Sequence, residues 1–285
     1  MRDSTSRKIF MAFNYTIFII FSLSIIIPFI NIISISLSET KMLTSSGFQL
    51  FPKKIYLGAY RDLFTRGSLV RPFINSILIT GMGLATSLFF TVTFGYAIMK
   101  RDLIGLNVIL VIIMIPFFFG GGMIPTYLLI RDIGLINSYW AVIFPKAIGF
   151  TYLLLTRNYF RSIPDSLSES ARIDGAGEWR IIFKVMLPLS KPIMAAIALF
   201  YGVSYWNEWF NVILYIYDQD KFTFQVVLRN LVVESQNVET GGGGTEVAEN
   251  IKMAMTMVGM IPILIAYPFL QKHFTKGILV GSIKG

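Results

Sequence analysis

Three ionisable or amide side chains interrupt long apolar blocks of this chain. Lys146 lies in one block, and the next block carries Trp206, Asn207, Glu208 and Trp209 in a row. Such groups are costly in apolar surroundings and are usually functional. They could bind hydroxyl or carboxylate groups of a solute, and the tryptophan rings could stack on the apolar faces of sugars. The structural alternatives are an ion pair between Lys146 and a neighbouring helix or second subunit, and an interfacial anchor for the tryptophans.

The relative direction of the two central side chains depends on the helix that carries them. If the block is one straight helix, Asn207 and Glu208 point about 100° apart. Both side chains then cannot face the same point. We therefore expect one of them to face a solute path and the other to contact a neighbouring helix or subunit.

Several kinds of chemistry are excluded by residues that the chain lacks. It has no cysteine, which excludes disulfides and cysteine metal sites, and its single histidine argues against a histidine metal cluster. It has no Gly-x-x-x-x-Gly-Lys-Ser/Thr phosphate-binding loop. The net charge of +9 comes from residues between the apolar blocks, so no nucleic-acid partner is predicted. We predict a chain that is not an enzyme and that binds no metal or cofactor itself.

The apolar blocks predict membrane spans. The chain is 54% hydrophobic and only 14% charged, whereas soluble domains carry about 25% charged residues. A bilayer core about 30 Å thick needs roughly 20 apolar helical residues. Six blocks meet or nearly meet that length: residues 10–35, 72–99, 103–130, 133–156, 192–217 and 253–271. The predicted fold class is an all-α polytopic membrane protein with six transmembrane helices.

The distribution of Lys and Arg predicts the orientation. Basic residues are more frequent in the segments that lie inside if the amino terminus is inside, as the positive-inside rule requires. The first block follows Arg2, Arg7 and Lys8, as a signal peptide would, but its apolar run is too long and no cleavage site follows it. We interpret this block as a retained span and expect both termini on the inner side of the membrane.

Residues 157–191, between the fourth and fifth spans, carry the most detailed pattern. The run from Asp174 to Gly177 predicts a sharp break between two short helices. In the first helix, Glu169 and Arg172 are spaced to form an ion pair. Four residues of the second helix are spaced to form one apolar face: Trp179, Ile182, Phe183 and Met186. This pattern fits either an interfacial hairpin or a docking element for a soluble partner.

A resemblance favours the docking interpretation. Glu169-Ser-Ala-x-x-Asp174-Gly-Ala176, followed by Phe183 and Leu187-Pro188, resembles the EAA loop of the permeases of binding-protein-dependent ABC importers. Ser170 stands where that family usually has alanine, which is similarly small. The resemblance implies that the following residues contact an ATPase subunit: Glu169, Ser170, Ala171, Asp174, Gly175, Ala176, Phe183 and Pro188.

Other segments resemble the carbohydrate permeases of this class. Ala59-Tyr-x-x-Leu-Phe64 resembles their outer loop, and residues 277–285 resemble the end of the smaller maltose-type permease. The run from Gly120 to Tyr127 resembles the subgroup associated with complex and uronate-containing oligosaccharides. Its three consecutive glycines could unwind the third span beside a cavity, or they could allow close helix packing.

The resemblance implies an importer of several subunits in the bacterial plasma (inner) membrane. This chain would span the membrane several times in contact with lipid and form a heterodimer with a second, related permease. Two ABC ATPase subunits would use ATP and Mg, and an extracytoplasmic sugar-binding protein would deliver an oligosaccharide. Residues 1–71 would form the first helix and an outer loop. Residues 72–285 would form a core permease domain of five helices, with the cytoplasmic coupling loop at 157–191 and a second outer loop at 218–252.

The second outer loop is polar and contains the glycines Gly241, Gly242, Gly243 and Gly244. Their composition alone indicates a flexible linker, and the resemblance implies contact with the sugar-binding protein. Two other functions remain open from the sequence. One is a permease of the same superfamily for a non-sugar solute such as a peptide or polyamine. The other is a secondary transporter or channel, although the chain lacks the internal repeat that secondary transporters usually show.

Overall fold

A computed structural model of the chain describes residues 5–40, 48–65, 69–239 and 248–281. All regular structure in these ranges is helical, which confirms the predicted all-α class. The helices, in chain order, are α1 (Thr5–Ser36), α2 (Gly58–Thr65), α3 (Val70–Met99), α4 (Leu106–Phe118), α5 (Met123–Asp132), α6 (Tyr139–Ile143), α7 (Phe150–Ser162), α8 (Asp165–Ile173), α9 (Glu178–Ile181), α10 (Leu187–Leu189), α11 (Lys191–Trp206), α12 (Phe210–Tyr215), α13 (Phe224–Glu239) and α14 (Glu249–Gly281). Residues Phe144–Lys146 and Gln219–Lys221 form 3₁₀ turns, and Ile182–Met186 form a π-helical turn.

One compact unit comprises Met1–Leu69 and Leu228–Ile261. Its loops are fastened by buried polar side chains. Asn250, at the start of α14 and only 3% exposed, donates to the Ser38 carbonyl and accepts from the Thr40 hydroxyl, both at 3.0 Å. The Asn31 side-chain oxygen accepts from the Gln49 N–H at 2.8 Å. These bonds satisfy buried polar groups that would otherwise destabilise the unit.

The second unit comprises Val70–Val227 and Pro262–Gly285. Its core lies where α3 packs against α7 and α11. Two glycines of α3 make these contacts close. A Cβ added at Gly83 would lie 2.7 Å from the Tyr205 ring, and one added at Gly95 would lie 2.8 Å from the Thr156 methyl carbon. Small residues let membrane helices approach each other in this way.

Among the described residues, three helices are long and apolar enough to cross a membrane: α1, α3 and α14. Three bent helix pairs meet the same test of length and composition. The axes of α4 and α5 differ by 116°, those of the α6 segment and α7 by 54°, and those of the α9–α10 segment and α11 by 89°. If each bent pair is one span, the described residues provide up to six spans, the number that the apolar blocks predict. The α9–α10 segment, however, lies in the coupling loop at 157–191, so only α11 of that pair falls in the predicted fifth block.

The predicted third, fourth and fifth spans are not continuous helices, which corrects their boundaries. α4 ends at Phe118 and α5 begins after Gly122, so the predicted unwinding at the three glycines is confirmed. A Cβ added at Gly120 or Gly121 would meet nothing within 4 Å, so close packing inside the described chain does not explain them. The fourth span breaks at the 3₁₀ turn that contains Pro145, because proline lacks the N–H of a continuing helix.

Candidate functional site

The turn in the coupling loop, residues 157–191, is closed by its own backbone. α8 ends at Ile173, and Gly175 follows with φ +78°. The Gly175 N–H donates to the Arg172 carbonyl at 3.0 Å, and the Ala176 N–H donates to the Ala171 carbonyl at 2.9 Å. These two bonds form a Schellman motif, in which a glycine with positive φ reverses the chain after a helix. The predicted sharp break is confirmed.

The residues predicted to contact an ATPase fall into two groups by exposure. Ala171 and Ala176 are half-buried and pack against the hydrophobic core, so they support the turn from within. The exposed members are Glu169, Ser170, Asp174, Gly175, Phe183 and Pro188. A Cβ added at Gly175 would meet nothing within 4 Å. The outer side of the turn is therefore open to a partner.

The four residues predicted to form the apolar face of the second helix differ in exposure. Ile182 and Met186 are buried, but Trp179 and Phe183 are exposed and stack on each other with ring centroids 6.0 Å apart. The helix itself changes from α to π geometry at Ile182–Met186, where the side chains depart from the 3.6-residue spacing.

The ion pair predicted between Glu169 and Arg172 is also wrong. The Arg172 Nε lies 3.3 Å from the carboxylate of Glu178, at the start of α9. The same carboxylate accepts hydrogen bonds from the Tyr96 hydroxyl and from the Lys100 ammonium, the latter at 3.1 Å. We call Glu178, Tyr96, Lys100 and Arg172 the Glu178 clasp. It connects α8 and α9 to the C-terminal end of α3, and the sequence analysis missed it.

The clasp changes the acidity of its carboxyl group. The hydrogen bond from Tyr96 is the largest cause that lowers the pKa of Glu178 below its ordinary value. Partial burial opposes this change, and Lys100 and Arg172 reinforce it. Bonds to the charged form favour that form. Glu178 therefore stays ionised to a lower pH than an ordinary glutamate does.

The C-terminal end of α3 also receives two arginines from α7. The Arg157 Nε donates to the Ile98 carbonyl at 3.0 Å, and the Arg161 Nε donates to the Met99 carbonyl at 2.9 Å. The last carbonyls of a helix lack partners within it, and cations stabilise that end. A cleft of about 570 Å³ opens beside this end of α3. Its charged lining residues are Lys100, Arg101, Asp102, Arg161, Asp165, Glu169, Arg172 and Glu178.

Lys146 and Glu208 form an ion pair that joins two helix breaks. Lys146 ends the 3₁₀ turn between α6 and α7, and Glu208 lies between α11 and α12. The ammonium also lies 3.3 Å from the Ser204 carbonyl and 5.0 Å from the centre of the Tyr205 ring. The Glu208 carboxylate accepts a further bond from the Asn211 N–H at 3.1 Å. The ion pair with a neighbouring helix, one alternative considered for Lys146, is thus present.

The rest of the polar run does not converge on one point. α11 ends at Trp206, so the expectation of one straight helix through Asn207 and Glu208 is wrong. Trp206 is buried and packs edge-to-face on Phe73, with ring centroids 5.5 Å apart. Asn207 is exposed and bonds back to the Val203 carbonyl at 3.0 Å. Trp209 is partly exposed in the break itself.

Two tyrosines of α11 support this region and were missed from the sequence. The Tyr205 hydroxyl donates to the Ile143 carbonyl at 3.2 Å and lies 3.0 Å from the Ser87 hydroxyl. The Tyr201 hydroxyl accepts from the Gly149 N–H at 2.8 Å and lies 2.9 Å from the hydroxyl of Thr91 on α3. Breaks in a span release backbone groups that need such partners. The tyrosines therefore stabilise both ends of the break between α6 and α7.

Asn137 also has a structural role that was not predicted from the sequence. It adopts φ 62°, which asparagine tolerates better than most residues. Its side-chain oxygen accepts from the N–H groups of Tyr217 and Asp218 at 3.2 and 3.1 Å, and its carbonyl accepts from the Lys221 ammonium at 2.9 Å. It therefore fastens the loop after α5 to the loop after α12. The glycines Gly241–Gly244, predicted to contact a binding protein, lie outside the described residues.

Residues 99–280 match a family model described as the binding-protein-dependent transport system inner membrane component. The chain belongs to this family. It is a permease component and not an enzyme. The matched residues include the coupling loop, the clasp residues Lys100, Arg172 and Glu178, and both residues of the buried ion pair.

Individual relatives resemble the permease along nearly its whole length. It is 40% identical to the polygalacturonan/rhamnogalacturonan transport system permease protein YtcP of Bacillus subtilis, over 98% of this chain and 99% of that protein. It is 42% identical to the protein LplC of the same organism, over 91% and 90%. Its fold matches a chain of a bacterial ABC transporter involved in the import of the acidic polysaccharide alginate. That match has a TM-score of 0.86 and 31% identity, and it covers 96% of this chain and 99% of the other.

Proposed function

We propose that this permease is one membrane subunit of an ATP-driven importer for uronate-containing oligosaccharides. The observation that carries the proposal is the 40% identity, across both whole chains, with a polygalacturonan/rhamnogalacturonan permease. The structural match to a chain of an alginate transporter supports the same substrate class, because both relatives are named for polymers that contain acidic sugars. Family membership decides against the secondary transporter or channel that the sequence had left open.

The coupling loop supports the proposed contact with an ATPase subunit. Its turn is open on the outer side at Gly175. The side chains of Glu169 and Asp174, which precede this glycine, are exposed. The neighbouring cleft presents charges of both signs to an incoming segment. Glycine at the turn allows a partner backbone to approach closely. We infer that a soluble ATPase subunit binds here and that its movement is passed to α3 through the Glu178 clasp.

The remaining partners and the orientation belong to the same proposal. A second, related permease would complete the solute path, two ATPase subunits would supply ATP hydrolysis with Mg, and an extracytoplasmic binding protein would deliver the sugar. Both termini and the coupling loop would lie in the cytoplasm. The family description, which names binding-protein dependence and an inner membrane component, supports this arrangement.

The substrate class is tested with the complete importer reconstituted in proteoliposomes. Binding protein loaded with trigalacturonate should stimulate ATP hydrolysis and uptake, and unloaded binding protein should stimulate neither. Binding protein offered a neutral galactose trisaccharide is the matched control. Stimulation by the neutral sugar alone would overturn the uronate assignment while leaving the permease role intact.

A further inference from the structure

We propose that Lys146 binds a carboxylate of the passing sugar and that Glu208 competes with the sugar for this ammonium group. The inference rests on the proposed function, because it takes an acidic oligosaccharide as the substrate. It goes beyond that function by assigning the substrate carboxylate to one side chain. It also gives Glu208 a role in release.

The pair lies where the backbone of two helices is interrupted. Lys146 stands at the 54° bend between the α6 segment and α7, and Glu208 stands between α11 and α12. Non-helical backbone at membrane depth is tolerated only where protein covers it or where it lines a watery cavity. Ionisable residues at such breaks mark solute paths in membrane proteins. The position of this pair therefore fits a solute site.

The two partners are held unequally. The Glu208 side chain is 9% exposed, it accepts from the Asn211 N–H at 3.1 Å, and its backbone carbonyl accepts from the Thr223 hydroxyl at 3.3 Å. The Lys146 side chain is 24% exposed and ends in three N–H donors, of which two face Glu208 and the Ser204 carbonyl. A sugar carboxylate can thus approach the ammonium from its exposed side and draw it away from Glu208, which its other bonds hold in position.

The carboxylate of Glu208 makes this a weak site, which transport requires. A lone ammonium group in these surroundings would bind an anionic sugar tightly, because the interaction of charges is strong at low dielectric. Passage through a membrane needs binding strong enough to admit the solute and weak enough to release it. Glu208 lowers the affinity by offering Lys146 an internal carboxylate. When the sugar leaves, the ion pair forms again.

A purely structural ion pair would behave differently. It would hold the two breaks together, and removing either charge would leave a buried unpaired partner and reduce the yield of folded complex. The substrate role predicts opposite effects of the two charges on sugar binding. Loss of the competitor Glu208 strengthens binding, and loss of the cation Lys146 weakens it.

The test measures binding of trigalacturonate by calorimetry to the purified importer complex without its binding protein. Glu208→Gln should lower the dissociation constant about tenfold, the size of one charge-assisted hydrogen bond, and should slow uptake by proteoliposomes. The double variant Lys146→Met with Glu208→Gln leaves no unpaired buried charge. It should assemble and should raise the dissociation constant about tenfold above that of the wild type.

Arg131→Gln is the matched control, because Arg131 is an exposed cation paired with its neighbour Asp132. It should leave the dissociation constant unchanged, which separates a local site from a general effect of charge. The inference would be overturned if the dissociation constant changed equally in Glu208→Gln and in the double variant, or if it changed in neither. A wild-type complex that takes up no trigalacturonate would instead overturn the proposed substrate class.

Discussion

The hydroxyl of Tyr96 donates a hydrogen bond to the carboxylate of Glu178. This bond joins the C-terminal end of α3, a helix long enough to span the membrane, to the start of α9 in the coupling loop. Lys100 reinforces the same contact from the residue after α3. The coupling loop is therefore in direct contact with a helix long enough to span the membrane.

Removing the clasp should uncouple ATP hydrolysis from transport. Tyr96→Phe deletes only the hydroxyl, and Glu178→Gln removes the negative charge. Each should leave the complex assembled but lower uptake per ATP hydrolysed several-fold in proteoliposomes. Tyr159→Phe is the control, because the Tyr159 hydroxyl makes only a 3.4 Å contact with the Leu189 carbonyl. Wild-type coupling in both clasp variants would show that the contact does not transmit movement.

Acidification should open the clasp. Because the pKa of Glu178 is lowered in the folded chain, its stabilising contribution is fully present above the ordinary pKa of glutamate. That contribution is lost as the pH falls through the lowered value. Hydrogen exchange in residues 165–189, corrected for intrinsic rates, should rise over that range. In Tyr96→Phe the pKa moves back toward normal, so the rise should begin at a higher pH. If exchange in Tyr96→Phe begins to rise at the same pH as in the wild type, the hydrogen bond from Tyr96 is not what lowers the pKa of Glu178.

Gly175→Val should fold and insert but fail to couple to the ATPase. The space around Gly175 is open, but its φ of +78° strains a residue with a Cβ by about 1–2 kcal/mol. Gly177→Val is the matched control, because Gly177 is equally open and has φ −72°. Sugar-stimulated ATP hydrolysis should be lost in the first variant and kept in the second. Equal sugar-stimulated ATP hydrolysis by the two variants would show that coupling does not depend on the positive φ of residue 175.

Gly83→Ala should destabilise the contact between α3 and α11. The new methyl group would lie 2.7 Å from the ring of Tyr205, which is 1% exposed and bonded through its hydroxyl. Overpacking of this kind costs about 1–3 kcal/mol. Gly81→Ala adds the same methyl group to α3 where nothing lies within 4 Å. The midpoint of thermal unfolding in detergent should be lower for Gly83→Ala than for Gly81→Ala. Equal midpoints would contradict the packing argument.

Single cysteines should reveal the proposed orientation, because the chain has none of its own. Ser166→Cys in α8 should react with a membrane-impermeant thiol reagent only from the cytoplasmic side. Thr240→Cys, in the second outer loop, should react only from outside. Labelling of both sites from one side would contradict the predicted topology.

The sequence predicted the features that have a local signature. Apolar blocks of the required length gave the spans, the three glycines from Gly120 gave the unwound segment, and Gly175 gave the turn. The break after Trp206 was not predicted because residues 207–209 contain neither proline nor glycine, the residues that usually indicate a helix break. The π-helical turn at Ile182–Met186 likewise has no local sequence signature.

The partners of Glu178 and of Lys146 were not predicted, for another reason. Tyr96 and Glu178 are 82 residues apart, and Lys146 and Glu208 are 62 apart. Each partner taken alone is an ordinary charged or hydroxyl residue, and nothing in its local sequence identifies the other. The polar run contains Glu208, one partner of the ion pair, but its other members separate because Trp206 is buried and Asn207 caps α11.

The Schellman turn at Gly175 has a further consequence for assembly. Because its two reversing hydrogen bonds lie within the chain, the turn is formed without an ATPase subunit. The conformational entropy of that turn is lost when the permease folds and is not lost again on association. Docking then becomes a rigid-body step. We expect the ATPase to associate with the permease without a slow folding phase.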